Sequence, residues 1–250
     1  MDKPCRLSAV IITYNEEKKL AACLASLDFV DELVVIDSGS RDRTRDIAES
    51  YHARFSVRPF DHFANQKNFG MAQARGEWIL LIDADERVSL GLKKEILDVA
   101  GLEHPCVGYW FRRDNYMFGG RVRFGANRGD RQMRLIRKGK GHFEGMVHER
   151  IVLDGRAGEL KEPLIHETYQ TRREYFDKWN LYIDLEVRQI IHRGQKPAWT
   201  ERLLKPLAQF IWFYFFRFGF LDGWRGLQFH VLSACYTYTK YKKAAEALRK

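Results

Sequence analysis

The stretch Trp78-Ile79-Leu80-Leu81-Ile82-Asp83-Ala84-Asp85-Glu86 constrains this chain more than any other. An apolar run of strand length that ends in three carboxylates within four residues reads as a buried parallel strand whose C-terminal end opens into a polar site. Open α/β sheets bind their ligands there. Asp83 and Asp85 are two apart, so in an extended segment both point the same way. Hard oxygen donors so placed suit Mg2+ or Mn2+ better than zinc, and such an ion completes its shell with phosphate oxygens. The plainer reading is that Asp83 caps the next turn while Asp85 and Glu86 stay in solvent.

Similar strands precede this one. Leu7 to Thr13 is apolar and β-branched; Asn15, Glu16 and Glu17 then read as a helix start, with Leu20, Leu24 and Leu27 as its apolar stripe. Leu33 to Ile36 is a second buried strand, ended by Asp37 and the turn Ser38-Gly39-Ser40. A helix over 44–51, a short strand over 55–57 and a helix over 65–74 lead to the Trp78 strand. This alternation predicts a Rossmann-like, mostly parallel twisted sheet flanked by helices. Three polar strand ends should converge on one edge: Thr13-Tyr14, Asp37 to Ser40, and Asp83 to Asp85. No Gly-x-Gly-x-x-Gly follows the first strand and no Gly-x-x-x-x-Gly-Lys-Ser/Thr occurs anywhere, which argues against a nicotinamide or flavin cofactor and against a P-loop.

With 250 residues, 45% of them apolar, the chain can form one α/β domain plus an appendage. Cys5, Cys23, Cys106 and Cys235 lie far apart, which fits packing residues in a reducing compartment. A strand pattern begins directly after Pro4, so no signal peptide is read and a cytoplasmic location is expected. The net charge of +9 concentrates in residues 109–142, with 10 basic and 2 acidic side chains. Most are arginines, Arg121, Arg123, Arg128 and Arg131 among them, which suit bidentate contacts with phosphate or carboxylate. An anionic acceptor, an anionic membrane surface or nucleic acid would each fit, as would a solvated surface.

Four motifs carry a resemblance. Val10-Ile11-Ile12-Thr13-Tyr14-Asn15-Glu16-Glu17, Val35-Ile36-Asp37-Ser38-Gly39-Ser40-Arg41-Asp42-Arg43-Thr44, Gln66-Lys67-Asn68-Phe69-Gly70 and Ala74-Arg75-Gly76-Glu77 running into Ile82-Asp83-Ala84-Asp85-Glu86 resemble, in order and rough spacing, family 2 glycosyltransferases. The match covers about residues 7–90. It implies a GT-A fold and inverting transfer of a sugar from a nucleotide diphosphate donor. Within the family, Gly145-Met146-Val147-His148-Glu149 and Leu221-Asp222-Gly223-Trp224-Arg225-Gly226 look most like lipopolysaccharide core β-1,4-glucosyltransferases. The implied organisation is a nucleotide-sugar-binding half (1–105), an acceptor-side half (106–170) and a helical, aromatic and basic C-terminal extension (171–250).

Carried over by position, the resemblance implies that Thr13, Tyr14 and Glu16 line the nucleoside pocket and that Asp37 contacts the base. Tyr14 offers a face for stacking and Asp37 an acceptor for a uracil N–H. Lys67 stands where many members have arginine, which keeps the charge but loses the fork. Asp83 and Ala84 would lie near the ribose, and Asp85 would hold a divalent metal, Mg2+ or Mn2+. For Asp37 and Asp42 the alternatives are turn formation and helix capping. Inverting transfer also needs a base for the acceptor hydroxyl. Glu144, Glu149, Asp154 and Glu167 are the candidates, with Glu149 matching best. His166 could approach the metal or be a hydrogen-bonded structural histidine.

Downstream, glycines among arginines and aromatics over 111–137 read as loops and short strands above the acceptor. Residues 172–192 are helical. The aromatic run over 205–221 is interrupted by Gln209 and Arg217 and is too short to span a bilayer. It suits a helix lying in the membrane interface, or else a helix packed on the sheet or on a second copy. A basic helix over 236–250 would favour the same anionic surface. The reading is therefore a metal-dependent, inverting transferase moving glucose from UDP-glucose to an anionic lipopolysaccharide inner-core heptose, peripheral on the cytoplasmic face of the inner membrane. Alternatives are a polyprenyl-phosphate or capsule precursor as acceptor and, from another class, a non-catalytic nucleic-acid-binding protein; nucleic acid is not expected as a partner, and oligomeric state is left open.

Overall fold

A computed structural model describes residues 5–101, 105–145 and 149–248. In chain order the elements are β1 (Leu7–Thr13), α1 (Leu20–Ala25), β2 (Glu32–Asp37), α2 (Thr44–Ser50), β3 (Arg54–Val57), α3 (Phe63–Gln73), β4 (Trp78–Asp83), β5 (Glu86–Arg87) and α4 (Leu90–Gly101). They continue with β6 (Cys106–Met117), β7 (Gly120–Val122), β8 (Arg131–Arg137), β9 (Gly141–Glu144), β10 (Arg150–Leu153), β11 (Arg156–Glu159), β12 (Leu164–Tyr169), α5 (Arg172–His192), α6 (Trp199–Ile211) and α7 (Gly223–Ala247). The chain divides into two compact units, Met1–Arg113 with Arg131–His166, and Asp114–Asp130 with Glu167–Lys250.

The first unit is an α/β layer around a mixed sheet of order β3-β2-β1-β4-β8-β6-β12-β5. Its first four strands are parallel, as the alternation of strands and helices requires, and β8 then enters antiparallel to β4 and β6. Val10, Val34, Ile36, Ile79 and Leu81 bury one face, Ala9, Ile11, Val35, Leu80 and Ile82 the other. A strand apolar on both sides is what a sheet covered by helices demands. Helix α3 approaches β1 so closely that a Cβ on Gly70 would come within 2.4 Å of Val10 Cγ1. Glycine at that motif position is a packing requirement.

Several expectations are corrected here. Residues 111–137 are more than loops and short strands, because β6 and β8 run through them and bury Phe111, Met133, Leu135 and Ile136. The segment after Thr13 does not begin a helix at Asn15. Its amides are taken by the neighbouring loop: Asn15 N donates to Ser40 Oγ (2.7 Å), Glu16 N to Thr44 Oγ1 (2.9 Å) and Glu17 N to Asp42 Oδ2 (3.0 Å). Asn15 sits at φ +52°, a left-handed conformation that asparagine tolerates, and its Oδ1 accepts from Arg41 N. Asp85 is not extended with Asp83, since β4 ends at Asp83 and a turn follows.

In the second unit, α5, α6 and α7 pack as a helical assembly. The aromatic run does not form one helix over 205–221. Helix α6 ends at Ile211, a wide π turn spans Trp212–Phe216, and Phe218 adopts φ +62°. The final helix begins at Gly223, ahead of the expected 236. Cys23 is buried as expected, but Cys235 is exposed and is not a packing residue.

Candidate functional site

Register builds the site. Along β1, Thr13 lies opposite Asp37 of β2, and Ile12 lies opposite Asp83 of β4. The C-terminal ends of three parallel strands therefore meet at one edge, where Tyr14 stands 51% exposed. Asp37 is buried and fully engaged. Its Oδ2 accepts from Gly39 N (2.8 Å) and Ser40 N (2.7 Å), its Oδ1 from Ser40 Oγ (2.5 Å) and Thr13 Oγ1 (3.0 Å). A carboxylate has about four lone-pair sites, so a nucleobase N–H could reach Asp37 only by displacing a hydroxyl. Asp42 shapes the same turn through Thr44 N and Oγ1. Burial acts to raise its carboxyl, but those hydrogen bonds hold it below the ordinary range.

Beneath the Asp83 end lies a charge network that the sequence reading did not contain. Arg134, only 2% exposed on β8, bridges the Asp83 and Glu86 carboxylates. Glu86 is completely buried instead of solvated; it accepts from Asp83 N (2.9 Å) and lies 3.5 Å from Arg113. Two guanidiniums thus face two carboxylates, which is how a low-dielectric site tolerates four charges. Burial alone would raise the Asp83 carboxyl, yet Arg134 and, less strongly, Lys67 hold it well below the usual carboxylate range. The signal was present in Arg131-Gln132-Met133-Arg134-Leu135-Ile136-Arg137, where Arg134 interrupts an otherwise apolar strand centre.

Asp85 turns to a different partner. Strand β12 pairs with β5 so that His166 lies opposite Glu86, and His166 Nε2 sits 3.5 Å from Asp85 Oδ1 with both side chains largely buried. Ala84 between the aspartates is buried in the apolar core, so its side chain belongs to packing. Cys23 also approaches this end, its thiol 3.7 Å from Asp83 O. Burial first, and the carboxylates of Glu86, Asp85 and Asp83 second, push that thiol far above its ordinary value, leaving it inert.

Helix α3 supplies the other wall, and Gln66, Lys67 and Asn68 of its motif have separate tasks. Gln66 is fully buried and donates to Ser38 Oγ (2.9 Å) and Arg58 O (3.0 Å), tying the helix to the end of β2. Asn68 exchanges two 2.8 Å hydrogen bonds with the Phe143 backbone, anchoring β9. Lys67, between them, is buried and reaches Glu149 Oε1 at 2.5 Å. Glu149 is therefore held by a cation within the first unit, while Glu144 faces His142 at 3.0 Å and Asp154 faces Lys140 at 2.9 Å, both on the exposed surface. Met146, Val147 and His148 of the Glu149 motif lie outside the described residues.

The four arginines do not form one cluster in one unit. In the first, Arg131 pairs with Glu159 at 2.8 Å. In the second, Arg121 pairs with Asp114, while Arg123 and Arg128 are exposed.

Comparison with known proteins identifies the family. Residues 8–154 match the model of the family described as glycosyl transferase family 2. The lipopolysaccharide core biosynthesis glycosyltransferase LpsC of Rhizobium meliloti is 32% identical over 250 aligned residues, covering 94% of this chain and 93% of the relative. An uncharacterized glycosyltransferase of Rickettsia felis is 27% identical and covers 98% and 91% of the two chains. The crystal structure of S. aureus TarS 1–349 in complex with UDP-GlcNAc aligns with 98% of this chain and 91% of that one, at 18% identity and a TM-score of 0.49. A family match over more than half the chain, together with a relative aligned along nearly its whole length, makes this chain a member of glycosyltransferase family 2.

Proposed function

We propose that this glycosyltransferase moves glucose from UDP-glucose, with inversion, onto a heptose of the lipopolysaccharide inner core. The observation that carries the reading is the meeting of Thr13, Asp37 and Asp83 at one sheet edge, with Tyr14 exposed beside them and Asp85 and His166 on the following segments. The near full-length similarity to a lipopolysaccharide core enzyme supports the acceptor class.

Tyr14 stacks on the uracil, and Asp83, kept ionised by Arg134, accepts from a ribose hydroxyl. Among the described residues no group of three or more His, Cys, Asp and Glu side chains is arranged to hold a metal. Asp85 and His166 offer two donors, a set that fits a Mg2+ or Mn2+ ion completed by the donor's diphosphate rather than one caged by protein. Such an ion, when bound, supplies Lewis-acid stabilisation of the departing diphosphate. Glu149 takes the proton of the acceptor hydroxyl as its oxygen bonds to the anomeric carbon and the bond from that carbon to the diphosphate oxygen breaks. Lys67 holds the Glu149 carboxylate in place until the acceptor arrives.

A thermal-shift series with UDP, UDP-glucose, UDP-galactose and GDP-mannose, each with and without Mn2+, tests the donor. Selective, metal-dependent stabilisation by UDP-glucose is expected, followed by a one-hexose mass increase on a deacylated core oligosaccharide. Stabilisation by GDP-mannose alone would overturn the donor assignment; no shift with any nucleotide in folded protein would overturn the site.

A further inference from the structure

In the second unit, α6 and the turn after it present an apolar face to water. Leu203, Leu207 and Ile211, spaced by four on α6, continue into Trp212 and Phe216, and all five are exposed, Phe216 by 64%. Single exposed apolar residues are ordinary, whereas a continuous face marks a binding surface. The left-handed turn at Phe218 extends it, adding Phe220, Leu221 and Trp224, the last 68% exposed.

Arginines rim the far end of this face through specific contacts. The Asp222 carboxylate accepts from Arg123 N and Phe124 N, which ties the segment bearing Arg123 to the aromatic turn. Arg217 donates to Arg128 O, Arg128 lies over the Phe218 ring at 5.4 Å, and the Arg225 guanidinium lies against Phe118 O. Among the described residues no carboxylate ion-pairs with Arg123, Arg128, Arg217 or Arg225.

We propose that this aromatic face and its arginine rim dock the protein on the surface of an anionic phospholipid bilayer. The 13 residues of α6 span only about 20 Å, short of a ~30 Å hydrocarbon core, and no described helix is long and apolar enough to cross a membrane. The helix therefore lies in the interface, with Trp and Phe at the acyl boundary and the guanidiniums among lipid phosphates. Charge selects this occupant over a second copy of the chain. A second copy of this face would present the same arginine rim, whereas an anionic surface neutralises it. The inference does not depend on which sugar or acceptor the enzyme uses.

Flotation of the full-length protein with vesicles, without donor or acceptor, tests it. Binding is expected to phosphatidylcholine vesicles containing one-third phosphatidylglycerol and to be weaker with phosphatidylcholine alone. Trp212→Glu with Phe216→Glu should weaken partitioning more than ~10-fold, as burial of two large aromatics implies. Arg123→Gln and Arg128→Gln should each weaken binding to the anionic vesicles roughly fivefold, the ~1 kcal/mol of a basic side chain near such a surface. An unchanged melting temperature and UDP-induced shift would certify that the variants are folded. Equal binding to both vesicles, or no binding by folded wild-type protein, would overturn the proposal. So would sedimentation as a dimer that Trp212→Glu dissociates, which would make a second copy the occupant.

Discussion

The two units treat their exceptional side chains in opposite ways. In the first, charge goes inward: Arg134 and Glu86 are fully buried, and Lys67 nearly so, each opposite a group of the other sign. In the second, apolar mass goes outward, with Trp212, Phe216 and Trp224 more than half exposed. An unpaired buried charge costs several kcal/mol, so the inward charges survive only as a matched set. Exposed aromatics cost the isolated chain little, because the unfolded chain exposes them as well. Buried charge therefore reports a site built during folding, and exposed apolar surface reports one completed by something else.

The largest effect should come from the first unit's chemistry. Glu149→Gln is expected to lower kcat by ~10^2 to 10^4, the range for a general base, while the UDP-glucose thermal shift persists. Unchanged turnover would move the role to another carboxylate. Next, Arg134→Met leaves the buried Glu86 and the partly exposed Asp83 without their bridging cation, and urea unfolding should show a loss of ~3 to 5 kcal/mol. A double variant Arg134→Met with Glu86→Leu should recover part of that loss. Were the single variant as stable as wild type, the buried network would not be a feature of folding and the contrast between units would fail.

A pH series sharpens the same point. The Asp83 carboxyl is held below its ordinary value of ~3.9, so its contribution is complete above that pH and is lost as pH falls below it. Melting temperature should decline below about pH 4 more steeply in the wild type than in Asp83→Asn, as measured by calorimetry. The smallest effect belongs to the second unit. Trp212→Glu with Phe216→Glu should change unfolding free energy by no more than ~0.5 kcal/mol, since neither side chain is in a core. A large loss in denaturant titration would mean that this face is packed.

Much of the first unit was legible because both strand and motif signals are local. Continuous apolar runs at Leu7, Leu33 and Trp78 announced parallel strands, and the polar residues at their ends announced the edge. What misled the reading was competition for backbone amides. Asn15-Glu16-Glu17 looks like a helix start, but Ser40, Thr44 and Asp42, about 25 residues on, take those donors. The network at Glu86 is not a local pattern: its cation, Arg134, is 48 positions away, within the arginine-rich segment 109–142. The aromatic run over 205–221 looked like one helix because periodicity carries no sign of the left-handed Phe218.

By itself the sequence determined the order of strands and helices through β4, the polar ends of β1, β2 and β4, and membership of the family, since these follow from residue patterns a few positions long. Only the tertiary structure decided that Glu149 faces Lys67, that Asp83 and Asp85 turn to different partners, and that Arg134 is buried while Trp212 is not. Those outcomes depend on pairings between strands and helices distant in the chain. The free energy of a charge or an aromatic ring is set by what such pairings place beside it.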